Sequence, residues 1–280
     1  MKRPRTRRTS RSAPNPTITL LTDFGTADQY VGVIKGVLRG ICPRARVIDL
    51  SHDVKPQAIV QGSFLLWASY RYFPQGTIFL AVVDPGVGTD RKILIATTAG
   101  KTFIAPDNGL LDPILSDEKV YRAYELSAED IDRLRSRRIL PATESTTFDG
   151  RDVFAPLAAQ LAAGKKPSRL GRLVGRALPA QFFSTPAESP EEGIVLHVDH
   201  FGNVVLNLRS SDASNDRLDS VEAGNRRVNS RITSYMEAPE GEPCLVVGSS
   251  GLLEISVRGE SAAAALNLQV GDSVRFGWKR

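Results

Sequence analysis

Two hydrophobic periods alternate along the first 165 residues. Thr17 to Leu21, Arg46 to Leu50 and Thr77 to Val83 are short, β-rich apolar runs of the kind buried in a sheet. Between them Tyr30, Val33, Ile34, Val37, Leu38 and Ile41 recur at helical spacing, and Gln57 to Tyr72 does the same with Ile59, Val60, Phe64, Leu65 and Ala68 inward. Strand–helix–strand–helix–strand order predicts right-handed crossovers and a mostly parallel sheet. Lys92 to Thr98 and Thr102 to Ala105 read as a hairpin, followed by a turn at Pro106-Asp107-Asn108-Gly109. Val120 to Leu126 predicts a further strand, Ser127 to Arg137 a charged surface helix, and Val153 to Ala163 an apolar helix that Gly164 ends.

The pattern then changes. Residues 166–190 carry Gly171, Gly175, Pro179, Pro186 and Pro190 with little periodicity, which reads as a linker between domains. Beyond it only strands are expected: Gly193 to Val198, Val204 to Leu208, Arg226 to Ile232, Cys244 to Gly248, Leu252 to Val257 and Ser273 to Trp278. Such short strands between turns suggest a small β-barrel or sandwich over 191–280. The expected organisation is α/β over 17–165 and all-β over 191–280.

Composition adds bounds. The chain has 280 residues, 41% hydrophobic and 24% charged, as in a globular protein with a sizeable core. Its net charge of +5 is misleading, because Lys2, Arg3, Arg5, Arg7, Arg8 and Arg11 lie in residues 1–16, which have little to bury and are expected to be disordered. The remainder is close to neutral, so no nucleic-acid face is implied. No apolar run is long enough to span a bilayer, and Cys42 and Cys244 lack metal spacing and fit a reducing cytoplasm. His52, His197 and His200 form no HExxH pattern, so no metal site is expected.

Glycine-rich phosphate cradles of the GxGxxG and GxxxxGK[ST] types are absent, as is a GxSxG elbow. The candidate chemistry is a set of polar residues at strand ends: Asp23, Ser51-His52-Asp53, Asp84, Asn108 and Asp149. Asp84 enters a turn opened by Pro85, Gly86 and Gly88, and Arg91 follows it. Open α/β sheets bind ligands at the carboxyl ends of their strands, where this pair falls. A structural turn capped by Asp84, with Arg91 on the surface, accounts for the same stretch.

Six motifs in order carry a resemblance. They are Leu21-Thr22-Asp23-Phe24-Gly25, Val83-Asp84-Pro85-Gly86-Val87-Gly88, Ala105-Pro106-Asp107-Asn108-Gly109-Leu110-Leu111, the segment Thr147-Phe148-Asp149-Gly150-Arg151-Asp152-Val153-Phe154-Ala155-Pro156, Asp199-His200-Phe201-Gly202-Asn203-Val204, and Gly248-Ser249-Ser250-Gly251-Leu252-Leu253-Glu254. From about Thr17 onward the chain resembles the S-adenosyl-L-methionine hydroxide adenosyltransferase family, which is related to fluorinases and chlorinases. The resemblance implies a Rossmann-like first domain, a C-terminal β-barrel and a homotrimer whose pocket lies between subunits. It also implies hydrolysis of S-adenosyl-L-methionine to adenosine and methionine without metal or diffusible cofactor.

It further implies a role for each residue. Asp84 and Arg91 match two members of the family's Asp–Arg–His set, and Asp149 stands where the family has histidine. Asp84 would accept a hydrogen bond from the attacking water, and Arg91 would fix the carboxylate. Asp149 would help orient the water, with an N-cap of the following helix as its structural alternative. Asp23 would bind the ribose hydroxyls, Phe201 would stack on adenine and Asn203 would bond its edge; Asn108 joins the substrate-binding set. Asp199 would pair with the methionine ammonium, while Ser249 and Ser250 would lie near its carboxylate; related halogenases carry arginine at the Ser250 position. Phe201-Gly202-Asn203 and Ser249-Ser250-Gly251 read equally as hairpin turns. Halogenases have an aromatic where Asp84 stands, so Asp84 favours water over halide. A binder of S-adenosylmethionine or adenosine without catalysis is the alternative that Asp149 raises.

Overall fold

A computed structural model describes residues 15–98, 100–118, 121–143, 145–175, 191–212 and 217–279. The basic stretch at 1–14 and the Pro-rich stretch at 176–190 lie outside the described residues. The first unit has strands β1 (Thr17–Thr22), β2 (Arg46–Ser51), β3 (Ile78–Val82), β4 (Ile93–Thr98), β5 (Lys101–Pro106), β6 (Arg122–Leu126) and β7 (Arg172–Val174), in the sheet order β2-β1-β3-β5-β4-β6-β7. Its helices are α1 (Tyr30–Ile41), α2 (Ile59–Tyr70), α3 (Asp112–Glu118), α4 (Ala128–Ser136) and α5 (Ala155–Ala162).

The sheet is mixed. Pairing is parallel from β2 through β1 and β3 to β5 and antiparallel across β4, β6 and β7. The expectation of a mostly parallel sheet therefore holds for the crossover half. It gives way where the tight β4–β5 connection forces neighbouring strands to reverse direction. Residues 166–175, expected in the linker, instead make a 3-10 turn (Pro167–Arg169) and edge strand β7. β7 escaped the pattern because an edge strand buries little: Leu173 is 61% exposed.

Both sheet faces are covered, so the central strands read as continuous apolar runs. One face packs on α1 and α5, through Ile18, Leu20, Leu80, Ile34, Leu38, Phe154 and Leu157. The other packs on α2 and α3 and continues without a break into Leu196, Val205 and Leu252 of the second unit.

That unit holds β8 (Glu192–Val198), β9 (Val204–Arg209), β10 (Leu218–Ala223), β11 (Arg226–Val228), β12 (Pro243–Val247), β13 (Leu252–Val257) and β14 (Ser273–Trp278), with a short helix α6 (Ala262–Leu266). The antiparallel order β11-β10-β14-β8-β9-β13-β12 curls into a nearly closed, barrel-like sheet. Leu245 N–H donates to Ser230 O (2.8 Å) and Ile232 N–H to Leu245 O (3.0 Å), drawing the two edges together. The strand absent from the sequence reading, β10, has the polar sequence Leu-Asp-Ser-Val-Glu-Ala, whose weak alternation hides it.

Candidate active site

β3 is buried at every position, and Val83 after it is also fully buried, so the chain emerges from the sheet at Asp84. Val87 N–H returns to Asp84 O (3.2 Å), Thr89 N–H to Gly86 O (3.1 Å), and the Thr89 hydroxyl also donates to Gly86 O (2.7 Å). Gly88 adopts φ +81°, a conformation that costs glycine little. A Cβ on Gly86 would sit 3.3 Å from Arg91 Cδ and 3.7 Å from Asp84 Oδ1, so its absence lets the turn fold Arg91 back over the carboxylate.

The result is one guanidinium shared by two carboxylates. Arg91 Nε donates to Asp84 Oδ1 (3.0 Å) and Oδ2 (2.8 Å), while Nη2 donates to Asp84 Oδ2 (2.5 Å) and Asp149 Oδ2 (2.5 Å). Side-chain exposure is only 6%, 12% and 12% for Asp84, Arg91 and Asp149, so these bonds form in a poorly solvated place. Burial alone would lower the Arg91 pKa, but the bonds to Asp84 and Asp149 outweigh it and hold the guanidinium above its usual value. The two Oδ2 atoms touch the same nitrogen, so they lie no more than about 5 Å apart.

Asp149 reaches this position from a π-helical turn, Gly150–Phe154, that leads into α5. Its side chain makes no capping hydrogen bond, so the helix-cap alternative is set aside and the carboxylate is directed to Arg91. Gly150 packs where a Cβ would come within 2.9 Å of the Phe148 ring and 3.3 Å of Phe24 and Ile34. The Arg91 guanidinium lies 5.8 Å over the buried Phe154 ring.

Asp23 follows β1 and accepts from Gln57 N–H (2.8 Å), whose φ of +66° aims the amide at it. Phe24, Tyr30 and Phe148 beside it form a mutual aromatic cluster with centroids 5.0–6.0 Å apart. His52 is buried and ties strand ends together, bonded to the Thr22 hydroxyl (2.8 Å) with Asp49 at 3.1 Å. Asn108 donates to Val83 O (2.9 Å) and accepts from Leu110 N–H (3.2 Å), so it braces the end of β3 against the turn after β5.

The remaining residues lie in the barrel-like unit. Asp199 Oδ1 accepts from the Phe201 (2.9 Å) and Asn203 (2.8 Å) amides, and its Oδ2 accepts from Asn203 Nδ2 (2.8 Å). This is the β8–β9 hairpin turn, and it holds Phe201 77% exposed at its tip. Ser249 and Ser250 occupy the β12–β13 turn, where Gly251 N–H bonds Gly248 O (3.0 Å). The hairpin readings are therefore correct, and they leave Phe201 open to a ligand. Among the described residues, no hydrogen bond or ion pair joins this group to Asp84, Arg91 and Asp149. Nor is any cluster of three or more His, Cys, Asp or Glu placed to hold a metal among the described residues.

Sequence reasoning placed Glu254 in the sixth motif but gave it no role. It is 7% exposed and accepts from the Tyr235 hydroxyl (2.8 Å); a Cβ on Gly248 would fall 1.7 Å from its Oε1. Burial raises its pKa and Asp199 raises it further, against the lowering effect of Tyr235. Burial and the bond to Glu254 push Tyr235 up to about 12. A glutamate inside the apolar run Leu252-Leu253-Glu254-Ile255 was the available signal.

Comparison with known proteins followed the same division. The family model for the SAM hydroxide adenosyltransferase N-terminal domain matches residues 18–171, and that for its C-terminal domain matches residues 193–275. An (R)-S-adenosyl-L-methionine hydrolase of Thermus thermophilus is 41% identical, covering 91% of this chain and 97% of its own. A fluorinase of Actinopolyspora mzabensis is 28% identical over 95% of this chain and 98% of its own. A conserved protein of Thermotoga maritima superposes with a TM-score of 0.80 at 32% identity, covering 93% of this chain and all (100%) of that one.

Proposed function

The chain belongs to the SAM hydroxide adenosyltransferase family, and on that premise we propose that it hydrolyses S-adenosyl-L-methionine to adenosine and L-methionine. The observation that carries the reading is the Asp84–Arg91–Asp149 group: two buried carboxylates on one guanidinium at the end of a central strand. Water attacks the ribose C5′ in line with the sulfonium. An O–C5′ bond forms, the C5′–S bond breaks, and its electron pair stays on sulfur as methionine leaves as a neutral thioether. Because the leaving group is already activated, the protein's task is to hold one water and exclude others, and no diffusible cofactor is required.

Asp84 accepts the water's hydrogen bond and draws off its proton, and Asp149 accepts from the water on the other side. Arg91 orients both acceptors through its hydrogen bonds. This surplus of negative charge disfavours a halide at the same point, which separates the chain from the halogen-transferring relatives.

Asp23 takes the ribose hydroxyls, Phe201 stacks on adenine and Asn203 meets its edge. Asp199 pairs with the amino acid's ammonium, Ser249 and Ser250 lie near its carboxylate, and Asn108 supports the strand end beneath. The Rossmann-like unit of one subunit and the β-barrel of the next complete the pocket in a cytoplasmic homotrimer. The absence of a direct hydrogen bond or ion pair between the two residue groups among the described residues fits this assembly, as does exposed Phe201.

Incubation of the purified protein with S-adenosylmethionine and chromatography of the products tests the reading. Adenosine and methionine in equal amounts are expected. No adenosine above a heat-killed control would reduce the protein to a binder, the reading favoured by Asp149 in place of histidine. Formation of 5′-chloroadenosine only with chloride would make it a halogenase.

A further inference from the structure

Beside the carboxylate–guanidinium group lies a cavity of about 310 Å³, lined by the 88–91 turn with Asp90 and Arg91, by Thr146 and Asp149, and by one side of α4. None of the residues assigned to nucleoside or amino acid lines it. On α4 it meets Ala128, Ile131, Asp132 and Arg135; Ala128 and Asp132 are exposed, so the cavity opens to solvent beside the helix. Arg135 Nη1 bonds Asp132 Oδ1 (3.2 Å), but its Nε is buried without a hydrogen-bond partner among the described residues. The lining is polar, through Thr89, Thr146, Asp149, Asp132 and the two arginines, and a polar space of this size holds on the order of ten waters.

The hydrolysis needs such a space. Each turnover consumes one water and releases one proton, since a cationic sulfonium and water become two neutral groups. On that reading substrate and products are held by Asp23 and the residues of the barrel-like unit, and this cavity offers water and proton a route apart from them.

We propose, resting on the hydrolase reading, that this cavity holds a water chain that feeds the nucleophile position. The same chain carries the proton that Asp84 draws off past Asp149 to bulk solvent, with Arg135 and Asp132 as its positioning residues. The proton taken from the attacking water passes to Asp84, then through the next bound water past Asp149 and along hydrogen-bonded waters by Arg135 to the exposed Asp132 end. No oxidant or second substrate is involved.

Ala128→Trp would plug the mouth from an exposed helix position that touches none of the reacting groups. The expected result is a fall in kcat of about fivefold or more, with KM for S-adenosylmethionine unchanged and a larger solvent deuterium isotope effect on kcat. Ala128→Ser keeps the parent values, and thermal unfolding of both variants controls for folding. A crystal structure of the parent at water-resolving resolution is expected to show ordered waters in the cavity from Asp149 to the Asp132 end. Parent-like kcat and isotope effect in Ala128→Trp, or a dry cavity in the crystal, overturns the route. Failure of the hydrolase reading is distinct, because it appears in the parent assay, as absent adenosine.

Discussion

Two clusters of the same ingredients sit in this molecule with opposite proportions. At the end of β3, one arginine serves two aspartates, Asp84 and Asp149. At the joint between the two units, one aspartate serves two arginines: Asp117 Oδ2 accepts from Trp67 Nε1 (2.6 Å) and Arg71 (2.7 Å), and its Oδ1 from Arg209 (2.6 Å). Arg71 and Arg209 also lie 5.6 and 5.2 Å over the Trp67 ring. A carboxylate offers about four lone-pair directions. Asp117 spends them on the protein, which makes a clamp between α2, α3 and β9. Among the described residues Asp149 accepts from a single donor, Arg91 Nη2, which leaves acceptor capacity for a water. The ratio of donors to acceptors, rather than the residue types, separates a joint from a reaction site.

The largest effect expected is at Asp84. Asp84→Asn keeps the size but loses the basic carboxylate, and adenosine formation should fall by roughly 10²–10⁴-fold with little change in unfolding temperature. A variant retaining parent turnover would move the water-activating role elsewhere. Arg91→Ala attacks the same group through charge. It leaves two buried carboxylates close together without a cation, and urea unfolding should report a loss of about 3 kcal/mol. A loss below about 1 kcal/mol would mean that the guanidinium is not what holds the pair together.

The clamp should behave the other way. Asp117→Asn is expected to cost about 2 kcal/mol of stability while leaving turnover per folded molecule intact. Burial alone would raise the Asp117 pKa, but the bonds from Trp67, Arg209 and Arg71 outweigh it and lower the net value. A depressed folded pKa adds stability above the unfolded value near 4, and that contribution is lost as pH falls through the folded pKa. The parent's advantage over Asp117→Asn in urea should therefore be full at pH 7 and shrink below about pH 4. Loss of activity without loss of stability would abolish the contrast between the clusters.

The smallest effect belongs to Glu254, a third buried carboxyl whose recorded partner is a phenol rather than a guanidinium. Its pKa is raised, so its ionisation opposes folding: this group's own contribution to stability is full below the unfolded value near 4.3 and is lost as pH rises through the folded pKa. Glu254→Gln should gain on the parent between pH 4 and pH 8, by about 1 kcal/mol or less in thermal unfolding. An advantage that shrinks with rising pH would reverse the sign assigned to its environment.

Much of this was legible along the chain. The turn at Val82 to Arg91 follows from an apolar strand, a proline and two glycines, all local. α1 and α2 declare themselves because each buries one face, and periodicity records burial. The edges were not legible. β7 and β10 are polar or half-exposed strands whose pairing depends on a neighbour already in place, and nothing local requires it. The expectation that Asn108 contacts substrate left out a structural role that only the fold shows: its bonds to Val83 O and Leu110 N–H brace the strand end.

The sequence by itself determined the two units, the strand-end position of Asp84 and the set of motifs that places the chain in its family, because each depends on short-range pattern. Only the tertiary structure decided that Asp149 faces Arg91 instead of capping its helix. Those residues are 58 positions apart, and their meeting depends on how the π-helical turn packs against Phe24, Ile34 and Phe148. The same holds for Glu254 beneath Gly248 and for the cavity behind Asp149. Such features are set by what burial leaves unpaired, and that is known only after the elements have closed on one another.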